Sequence, residues 1–252
     1  IDSGATSITV EIKHGGISYL RVTDNGCGIE HEDVPVAFLR HATSKIATSS
    51  DLSSIGTYGF RGEALSSIGA VAKVKLYTKR REDSIGVCVT CEGGEILSLA
   101  DAGAPDGTVI EVCDLFYNTP ARMKFLKKDV SEGTTVSAII ERQALSHPEI
   151  AFKLVRDGKQ TLSTSGDGKL ASAVYSVLGR EMANTLIPVD LTLDGVKVKG
   201  LVCKPVSCRA SRAYQFTFLN GRYVQSGTIT AATEQAYKGL IPIGRFGFVV
   251  LN

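Results

Sequence analysis

The chain carries almost no excess charge of either sign. Its 28 lysine and arginine residues outnumber its 26 aspartate and glutamate residues by two, which gives a net charge of +2 at pH 7. So small an excess cannot by itself hold a protein on nucleic acid, so any basic surface must come from local clustering. The sequence also lacks an apolar run of the roughly 18–20 residues that a membrane span needs, and no signal peptide opens it. We therefore expect no membrane attachment.

Complete metal-binding and disulfide patterns are also missing. Most of the six cysteines lie in apolar, strand-like stretches, where a reduced cysteine packs as a small hydrophobic side chain. Cys88 and Cys91 have Cys-x-x-Cys spacing, but no second pair or nearby histidine cluster completes a zinc site. We therefore predict no metal site and a reducing, intracellular compartment. That compartment would be the nucleus in a eukaryote, or the cytoplasm or nucleoid in a bacterium.

The composition is that of an ordinary globular protein. Hydrophobic residues make up 43% of the chain and charged residues 21%, which suits one large or two ordinary domains. Residues 163–168, all small or polar, separate patterned segments and are the best candidate for a boundary. We predict a first domain at residues 1–165 and a smaller α/β domain at residues 166–252.

Hydrophobic periodicity predicts an α/β fold. Ile8, Val10 and Ile12 alternate with polar residues, which indicates a half-buried strand at residues 7–13. Further strands are predicted at residues 17–23, 73–79, 85–91, 95–99, 108–113, 152–156, 160–163, 189–193, 196–202, 215–219 and 246–251. Helices are predicted at residues 32–39, 63–70, 131–146, 170–178 and 228–239. Residues 40–60, rich in Ser, Thr and Gly, are predicted to form a loop.

Residues 24–29 (Asp-Asn-Gly-Cys-Gly-Ile) follow a predicted strand and contain the first candidate site residues. A buried carboxylate such as that of Asp24 only accepts hydrogen bonds, so it can take one from the exocyclic amino group of adenine. Gly26 and Gly28 would let the backbone pass close to a base or a sugar. Taken alone, however, Asp-Asn-Gly after a strand is more typical of a plain turn.

Two further segments, residues 41–46 (His-Ala-Thr-Ser-Lys-Ile) and 59–65 (Gly-Phe-Arg-Gly-Glu-Ala-Leu), lie at the two ends of the predicted loop. Phosphates bind backbone N–H groups at a helix start, where glycines allow close approach, and the second segment leads into a predicted helix. The first segment adds two hydroxyl donors and a cation. Arg61 suits either a phosphate contact or a role in holding the loop. His41 is interpreted as a packing residue rather than a catalyst.

Residues 115–122 (Leu-Phe-Tyr-Asn-Thr-Pro-Ala-Arg) form the fourth segment. Thr119 can cap a helix that begins at Pro120, so capping alone could account for the Thr-Pro pair. The cations in this segment and just after it could meet DNA phosphates, while a solvated helix face is an equal alternative at so small a net charge. These cations are Arg122, Lys124, Lys127 and Lys128.

Together and in this order, the four segments resemble the nucleotide site of the MutL family of DNA mismatch repair ATPases. That family lies within the wider GHKL group of gyrase, Hsp90, histidine kinase and MutL, and the fourth segment points to the MutL branch. The resemblance covers essentially the whole chain. It implies a GHKL-type (Bergerat) α/β sandwich followed by an α/β domain like domain 2 of ribosomal protein S5. It also implies ATP as the ligand, with Mg²⁺ in the full-length protein.

The resemblance assigns roles to individual residues. Asp24 would select adenine, Thr108 would reach the adenine edge directly or through water, and the loop with its flanks would close as a lid over the triphosphate. Without the resemblance, Thr108 is a β-branched strand residue after an Asp-Gly turn. Arg222, in an Asn-Gly-Arg stretch like one in the family's second domain, could contact a DNA phosphate or be an exposed turn residue. The implied ATP-binding residues are Asp24, Asn25, Gly26, Gly28, Ile29, Thr43, Ser44, Lys45, Gly59, Phe60, Arg61, Gly62 and Thr108.

Three catalytic residues of the family fall outside the matching residues. A general-base glutamate and a magnesium-binding asparagine precede the stretch that resembles residues 2–6, and a lysine that reaches the γ-phosphate follows the last predicted strand. Hydrolysis depends on positioned water, metal and charge stabilisation. We therefore expect the parent protein to hydrolyse ATP and the chain as given to be slow or inactive, with no catalytic residue assigned within it.

The implied function is a nucleotide-gated dimerising clamp on DNA that coordinates mismatch repair. Its partners would be DNA, a MutS-type mismatch recognition protein, and a second copy or a MutL-family heterodimer partner. One alternative is a non-catalytic DNA- or partner-binding module with a vestigial nucleotide pocket, whose salt-dependent DNA binding would ignore nucleotide. Another is a different GHKL ATPase such as a type II topoisomerase subunit, which a strand-passage assay would identify.

Overall fold

The computed structural model describes residues 1–43, 57–59 and 61–252. Proximity between Cα atoms divides the chain into two compact units. The first comprises Ile1–Ala138 and Phe152–Thr161, and the second comprises Ile139–Ala151 and Leu162–Asn252. The domain boundary expected between residues 165 and 166 stays a prediction, because spatial grouping does not measure independent folding.

The larger sheet contains eight of the described strands. They are β1 (Ser7–Lys13), β2 (Tyr19–Asp24), β3 (Lys73–Lys79), β4 (Gly86–Glu92), β5 (Glu95–Ala102), β6 (Gly107–Cys113), β7 (Ala151–Arg156) and β8 (Lys159–Ser163). Their spatial order is β5-β4-β3-β6-β2-β1-β7-β8. Strand β6 lies between β2 and β3 and is antiparallel to both. This order brings together three strand ends that are far apart in the sequence.

Alternation along β1, β3 and β4 places most of their apolar side chains on the buried face of the sheet. Ile8, Val10 and Ile12 of β1 are buried, as the sequence pattern predicts. Alternate residues of β3 and β4 form a second buried cluster together with Val34 and Phe38. Each fully buried aliphatic side chain stabilises the fold by roughly 1.5–3 kcal/mol. The burial therefore fixes which face each strand presents, and with it the direction of the polar residues.

Four described helices accompany these strands in the sequence. They are α1 (Asp33–Val36), α2 (Ala64–Gly69), α3 (Pro120–Met123) and α4 (Asp129–Ser146). Helix α1 is shorter than the predicted helix at residues 32–39. Beyond it the N–H of Phe38 bonds to the carbonyl of Pro35 and that of Leu39 to Val36, three residues back. The turn therefore tightens and the α-helix ends early.

The second unit contains a smaller, mixed sheet with helices. The strands are β9 (Leu186–Leu193), β10 (Val196–Cys203), β11 (Gln215–Leu219), β12 (Arg222–Tyr223) and β13 (Val249–Leu251), in the order β12-β11-β13-β10-β9. Strands β11 and β13 are parallel, and the other pairs are antiparallel. This unit includes the end of α4, from Ile139 onward, and the helices α5 (Leu170–Leu178), α6 (Arg180–Ala183) and α7 (Gly227–Tyr237).

The core of this second unit is built from Val174 of α5 and a run of apolar residues, Phe248, Val249 and Val250, at the last strand. That strand is shorter than predicted, because Phe246 pairs with Arg209 in an isolated bridge instead of extending β13. None of the helices in the described part of the chain is long and apolar enough to cross a membrane.

Candidate nucleotide site

Three neighbouring strands place polar side chains in one row. Asp24, the last residue of β2, lies opposite Thr108 of β6, which in turn lies opposite Thr78 of β3. Residues paired in this way point to the same face of a sheet, with Cβ atoms about 4.5–5.5 Å apart. Thr78 and Thr108 are buried, and Asp24 is half-buried. The structure therefore brings together the two residues that were predicted to bind adenine.

Thr78 is not among the predicted site residues, yet its hydroxyl connects the loop after β2 with the start of β6. Its Oγ1 atom accepts a hydrogen bond from the backbone N–H of Ile29 at 2.9 Å and donates one to the carbonyl oxygen of Gly107 at 2.9 Å. The hydroxyl oxygens of Thr78 and Thr108 lie 3.1 Å apart. In the sequence Thr78 is simply one more β-branched residue at the end of an alternating strand, so only the pairing of β3 with β6 shows its position.

The glycines of the loop after β2 are required by packing within the protein. A Cβ atom on Gly26 would overlap the side chain of Ser3, and one on Gly28 would overlap the backbone carbonyl of Lys79. Gly28 also has φ +74°, a conformation that favours glycine. The described contacts thus explain both glycines, while their approach to a base or a sugar stays a prediction.

The side chain of Asn25 fixes the same loop to the start of the chain. Its oxygen accepts hydrogen bonds from the backbone N–H groups of Thr6 and Ser7, both at 2.9 Å, and its nitrogen donates to Thr6 Oγ1 at 2.9 Å. The N–H of Gly26 donates to one carboxylate oxygen of Asp24 at 2.8 Å. Asn25 therefore has a structural role in these contacts, and the loop orients the carboxylate of Asp24.

Two cations at the end of β3 form ion pairs with the turn before β6 and with the residue that follows the β2 loop. Lys79 Nζ lies 2.6 Å from a carboxylate oxygen of Asp106, in the turn before β6. Arg80 lies 3.1 Å from Glu30, just after the first loop, and donates hydrogen bonds to Asp83. The hydrogen bonds between Arg80 and Asp83 lower the pKa of the Asp83 carboxyl and raise the pKa of the Arg80 guanidinium. Polar residues at the end of β3 therefore hold both the loop after β2 and the turn before β6 in place.

A cavity of about 800 Å³ lies against α1 and the start of α2. It is lined by five of the predicted ATP-binding residues. They are Ile29, Thr43, Gly59, Arg61 and Gly62. Gly62 has φ +62°, and a Cβ atom there would overlap the backbone of Ala42, so this close passage requires glycine. The predicted contacts of Ser44, Lys45 and Phe60 lie outside the described residues.

Two polar contacts hold the described flanks of this cavity. His41 lies 3.2 Å from Glu63, and its side chain is 78% exposed. The described contact of His41 is thus polar, and its packing within the lid stays a prediction. The carboxylate of Asp2 accepts a hydrogen bond from the backbone N–H of Tyr58, with oxygens at 3.0 and 3.2 Å.

The fourth sequence segment braces the end of α2. The side-chain nitrogen of Asn118 donates a hydrogen bond to the carbonyl of Ala70 at 2.9 Å. The backbone N–H of Phe116 donates to the carbonyl of Val71 at 2.7 Å. Residues 70 and 71 directly follow α2, the helix whose start lines the cavity. The segment that resembles the MutL branch most specifically is therefore tied to the far end of that helix.

Thr119 does not cap α3 with its side chain, so capping does not account for the Thr-Pro pair. The helix does begin at Pro120, but the Thr119 hydroxyl makes no capping hydrogen bond. Its Oγ1 atom is buried and has no hydrogen-bond partner among the described residues. In the first turn, the carbonyl of Thr119 accepts a hydrogen bond from the N–H of Arg122 at 2.9 Å.

The predicted DNA-contacting cations differ in their surroundings. Four of them lie in an almost wholly exposed stretch that also exposes 86% of Phe125. These four are Arg122, Lys124, Lys127 and Lys128. Arg222 is half-buried in β12, after a turn in which Asn220 has φ +49° and Gly221 +80°, so it is not an exposed turn residue. Contact of these five residues with DNA stays a prediction.

A metal site is not assembled by the described part of the chain, in which no three His, Cys, Asp or Glu side chains are grouped closely enough to hold an ion. Cys91 is buried in the core, while Cys88, three residues earlier in β4, is half-buried. With a nucleotide, Mg²⁺ is usually bound by the phosphates, waters and only one or two protein oxygen ligands, so its expected place beside the triphosphate stays a prediction.

The row of polar side chains is connected to the glycine-lined cavity through Ile29, which lines the cavity and donates its N–H to Thr78, and this arrangement is suited to a purine nucleotide. A family model described as histidine kinase-, DNA gyrase B- and HSP90-like ATPase matches residues 1–96. The ATPase region of Saccharomyces cerevisiae topoisomerase II covers 99% of the chain with a TM-score of 0.64 at 13% identity, which supports the fold alone. Fold and site therefore define a GHKL-type nucleotide-binding region.

Closer relatives identify the family. The chain is 49% identical to the DNA mismatch repair protein MutL of Agathobacter rectalis over 251 residues, which is 100% of this chain and 39% of that protein. It is 44% identical over 252 residues to that of Desulforudis audaxviator, covering 100% of this chain and 45% of that protein. A family model described as DNA mismatch repair protein, C-terminal domain, matches residues 174–252. The chain belongs to the MutL family of DNA mismatch repair proteins.

A solved structure agrees with this assignment. The Aquifex aeolicus MutL ATPase domain complexed with ADP is 29% identical, with a TM-score of 0.72, and the match covers 99% of this chain and 84% of that one. The GHKL-like α/β fold expected from the sequence is thus confirmed. The chain spans 39–45% of the length of the two MutL relatives named above.

Proposed function

We propose that the chain is the ATP-binding region of a MutL-type mismatch repair protein. The adenine would bind at Asp24 and Thr108, and the triphosphate would extend into the cavity at the start of α2. The observation that carries this proposal is the polar row at the ends of β2, β6 and β3. The ADP bound to the Aquifex aeolicus relative supports a nucleotide as the ligand.

The residues of the chain would divide the work of binding. Asp24, whose carboxylate is oriented by the N–H of Gly26, would accept a hydrogen bond from the adenine amino group. Gly59 and Gly62 would let phosphate oxygens approach backbone N–H groups near the start of α2, and Arg61 would supply a planar cation. Mg²⁺ would accompany the triphosphate and neutralise part of its charge.

In the whole protein, we propose, nucleotide binding gates a clamp on DNA. ATP would order the lid segment, lid closure would favour pairing of two such regions, and hydrolysis would reset the pair. The partners would be DNA, a MutS-type mismatch recognition protein, and a second copy or a related MutL-family chain. Membership of the mismatch repair family supports this role, which would be exercised inside the cell.

Calorimetric titration of a non-hydrolysable ATP analogue with Mg²⁺ tests the proposal, with Asp24→Asn as the variant. Asparagine places an N–H donor against the adenine amino group, so affinity should fall by about 10- to 100-fold, since a hydrogen bond to a charged group contributes about 1.5–3 kcal/mol. Asp190→Asn, an exposed change in β9, is the control and should bind like wild type. Absence of binding by the wild-type protein would overturn the proposal. If Asp24→Asn binds the analogue as tightly as wild type, the adenine base does not bind at Asp24.

The exposed basic stretch at residues 122–128 favours a second function, DNA binding that needs no nucleotide. Replacing its four cations with alanine should weaken DNA binding and reduce the salt slope by about 0.9 for each lost phosphate contact. Fluorescence anisotropy at several salt concentrations measures both. Lys197→Ala with Lys199→Ala, two exposed cations of β10, is the control. If DNA binding ignores nucleotide while the analogue still binds, the two functions are independent.

A further inference from the structure

The buried hydroxyl of Thr78 faces three groups whose hydrogen-bonding roles constrain one another. The backbone N–H of Ile29, at 2.9 Å, can only donate. The carbonyl oxygen of Gly107, also at 2.9 Å, can only accept. The hydroxyl of Thr108, at 3.1 Å, can do either. Thr78 has a single hydroxyl proton to distribute among them.

One arrangement satisfies all three contacts. The proton of Thr78 goes to the carbonyl of Gly107, and the lone pairs of Thr78 accept from the N–H of Ile29 and from the hydroxyl of Thr108. The reverse choice would turn a lone pair of Thr78 toward the carbonyl oxygen at 2.9 Å, which is unfavourable in a buried site. The Thr108 hydroxyl therefore donates its hydrogen bond to Thr78, and its oxygen presents only lone pairs to a ligand.

We propose that Thr78 is a positioning residue that fixes the donor–acceptor polarity of Thr108 and so makes the site prefer a 6-amino purine to a 6-oxo purine. Beside Thr108 in the row stands the carboxylate of Asp24, another acceptor. Two adjacent acceptors attract the N–H groups of the adenine amino group. They repel the carbonyl oxygen that hypoxanthine carries at the same position. The inference rests on the proposed nucleotide site and names the chemistry that selects its base.

The test compares two ligands, a non-hydrolysable ATP analogue and the matching inosine triphosphate analogue, each titrated with Mg²⁺ into the purified protein. Wild type should favour the adenine ligand by about tenfold or more, the scale of one correctly paired hydrogen bond. In Thr78→Val, which keeps the shape but removes the hydroxyl, the Thr108 proton is free to turn outward and donate to the 6-oxo group. The preference should therefore shrink several-fold.

Thr78→Ser keeps the hydroxyl and should retain the wild-type preference, which a purely steric role for Thr78 would not predict. Thr23→Val is the matched control, because its side chain is one residue before Asp24 and on the opposite face of the sheet. Circular dichroism with thermal unfolding confirms that each variant is folded.

The outcomes distinguish failure of the polarity role of Thr78 from failure of the nucleotide site. A Thr78→Val protein that binds both ligands more weakly but in an unchanged ratio would overturn the polarity role and leave the nucleotide site standing. So would a wild-type protein that binds the two ligands equally. Absence of any nucleotide binding by the wild type would instead overturn the proposed function and this inference together.

Discussion

The loop after β2 and the segment at residues 115–122 both resemble the MutL family, but their polar groups do different work. In the loop, the contacts of Asn25, Gly26 and Gly28 hold the chain so that the carboxylate of Asp24 stands in a row with Thr108. In the segment, the described polar contacts bind the backbone that follows α2. In both regions, therefore, the described contacts of the motif residues are structural, and those of the loop orient the carboxylate proposed to bind adenine.

The largest effect should come from breaking the loop itself. In Gly28→Ala the new Cβ atom would overlap the backbone at Lys79, so the free energy of unfolding should fall by roughly 2–4 kcal/mol. Gly158→Ala is the control, because Gly158 has a similar φ of +78° but open space around it, and should cost only about 1 kcal/mol. Urea unfolding measures both, and equal losses would mean that backbone conformation rather than overlap makes Gly28 necessary.

Asn118→Ala separates bracing from binding. Loss of the hydrogen bond to Ala70 should lower the free energy of unfolding by about 0.5–1.5 kcal/mol, while nucleotide affinity changes less than in Asp24→Asn. Asp24→Asn should show the opposite pattern, a large loss of affinity with a small loss of stability. Thermal unfolding measures the stability of each variant, and calorimetry measures its nucleotide affinity. A large loss of affinity in Asn118→Ala would place Asn118 in the binding site.

Thr119→Val decides between a cap and a buried hydroxyl by the sign of its effect. A cap lost would cost about 0.5–2 kcal/mol. The structure instead predicts no loss, or a gain of up to about 1 kcal/mol, because valine removes a buried hydroxyl that has no described partner. Urea unfolding gives the sign directly.

The smallest effect concerns the charge bracing at the end of β3. Because Arg80 lowers the pKa of Asp83, ionised Asp83 adds stability that is present above its unfolded pKa, near 3.8. That contribution is lost as the pH falls through the lower pKa of the folded protein. Asp83→Asn should therefore be slightly less stable than wild type at pH 7, and the difference should disappear in acid. A difference that is independent of pH would show that charge is not the cause.

Much of the fold follows from local patterns in the sequence. The bounds of β1, β3, β11 and α5 agree with the prediction, because alternation and helical periodicity depend only on neighbouring residues. Helix α1 was overestimated, since its apolar residues suit a helix but its later N–H groups bond three residues back. Chain-local patterns cannot show such a change in hydrogen bonding.

The site was less accessible to residue-level reasoning. The adenine-binding roles of Asp24 and Thr108 depend on the family resemblance, because Asp24 taken alone is more typical of a turn and Thr108 of a strand. Thr78 was missed, since its importance arises only where β6 inserts between β2 and β3. Pairing between strands that are distant in sequence is the information that local patterns lack.

The pairing register of β2, β6 and β3 also limits which insertions and deletions this protein can accept during evolution. Side chains alternate between faces with a period of two, so gain or loss of a single codon within β6 would turn Thr108 to the face opposite Asp24. Insertions in the connections between strands would leave that alignment intact. Descendants of this gene should therefore vary in the length of their loops, while the number of residues in these three strands stays constant.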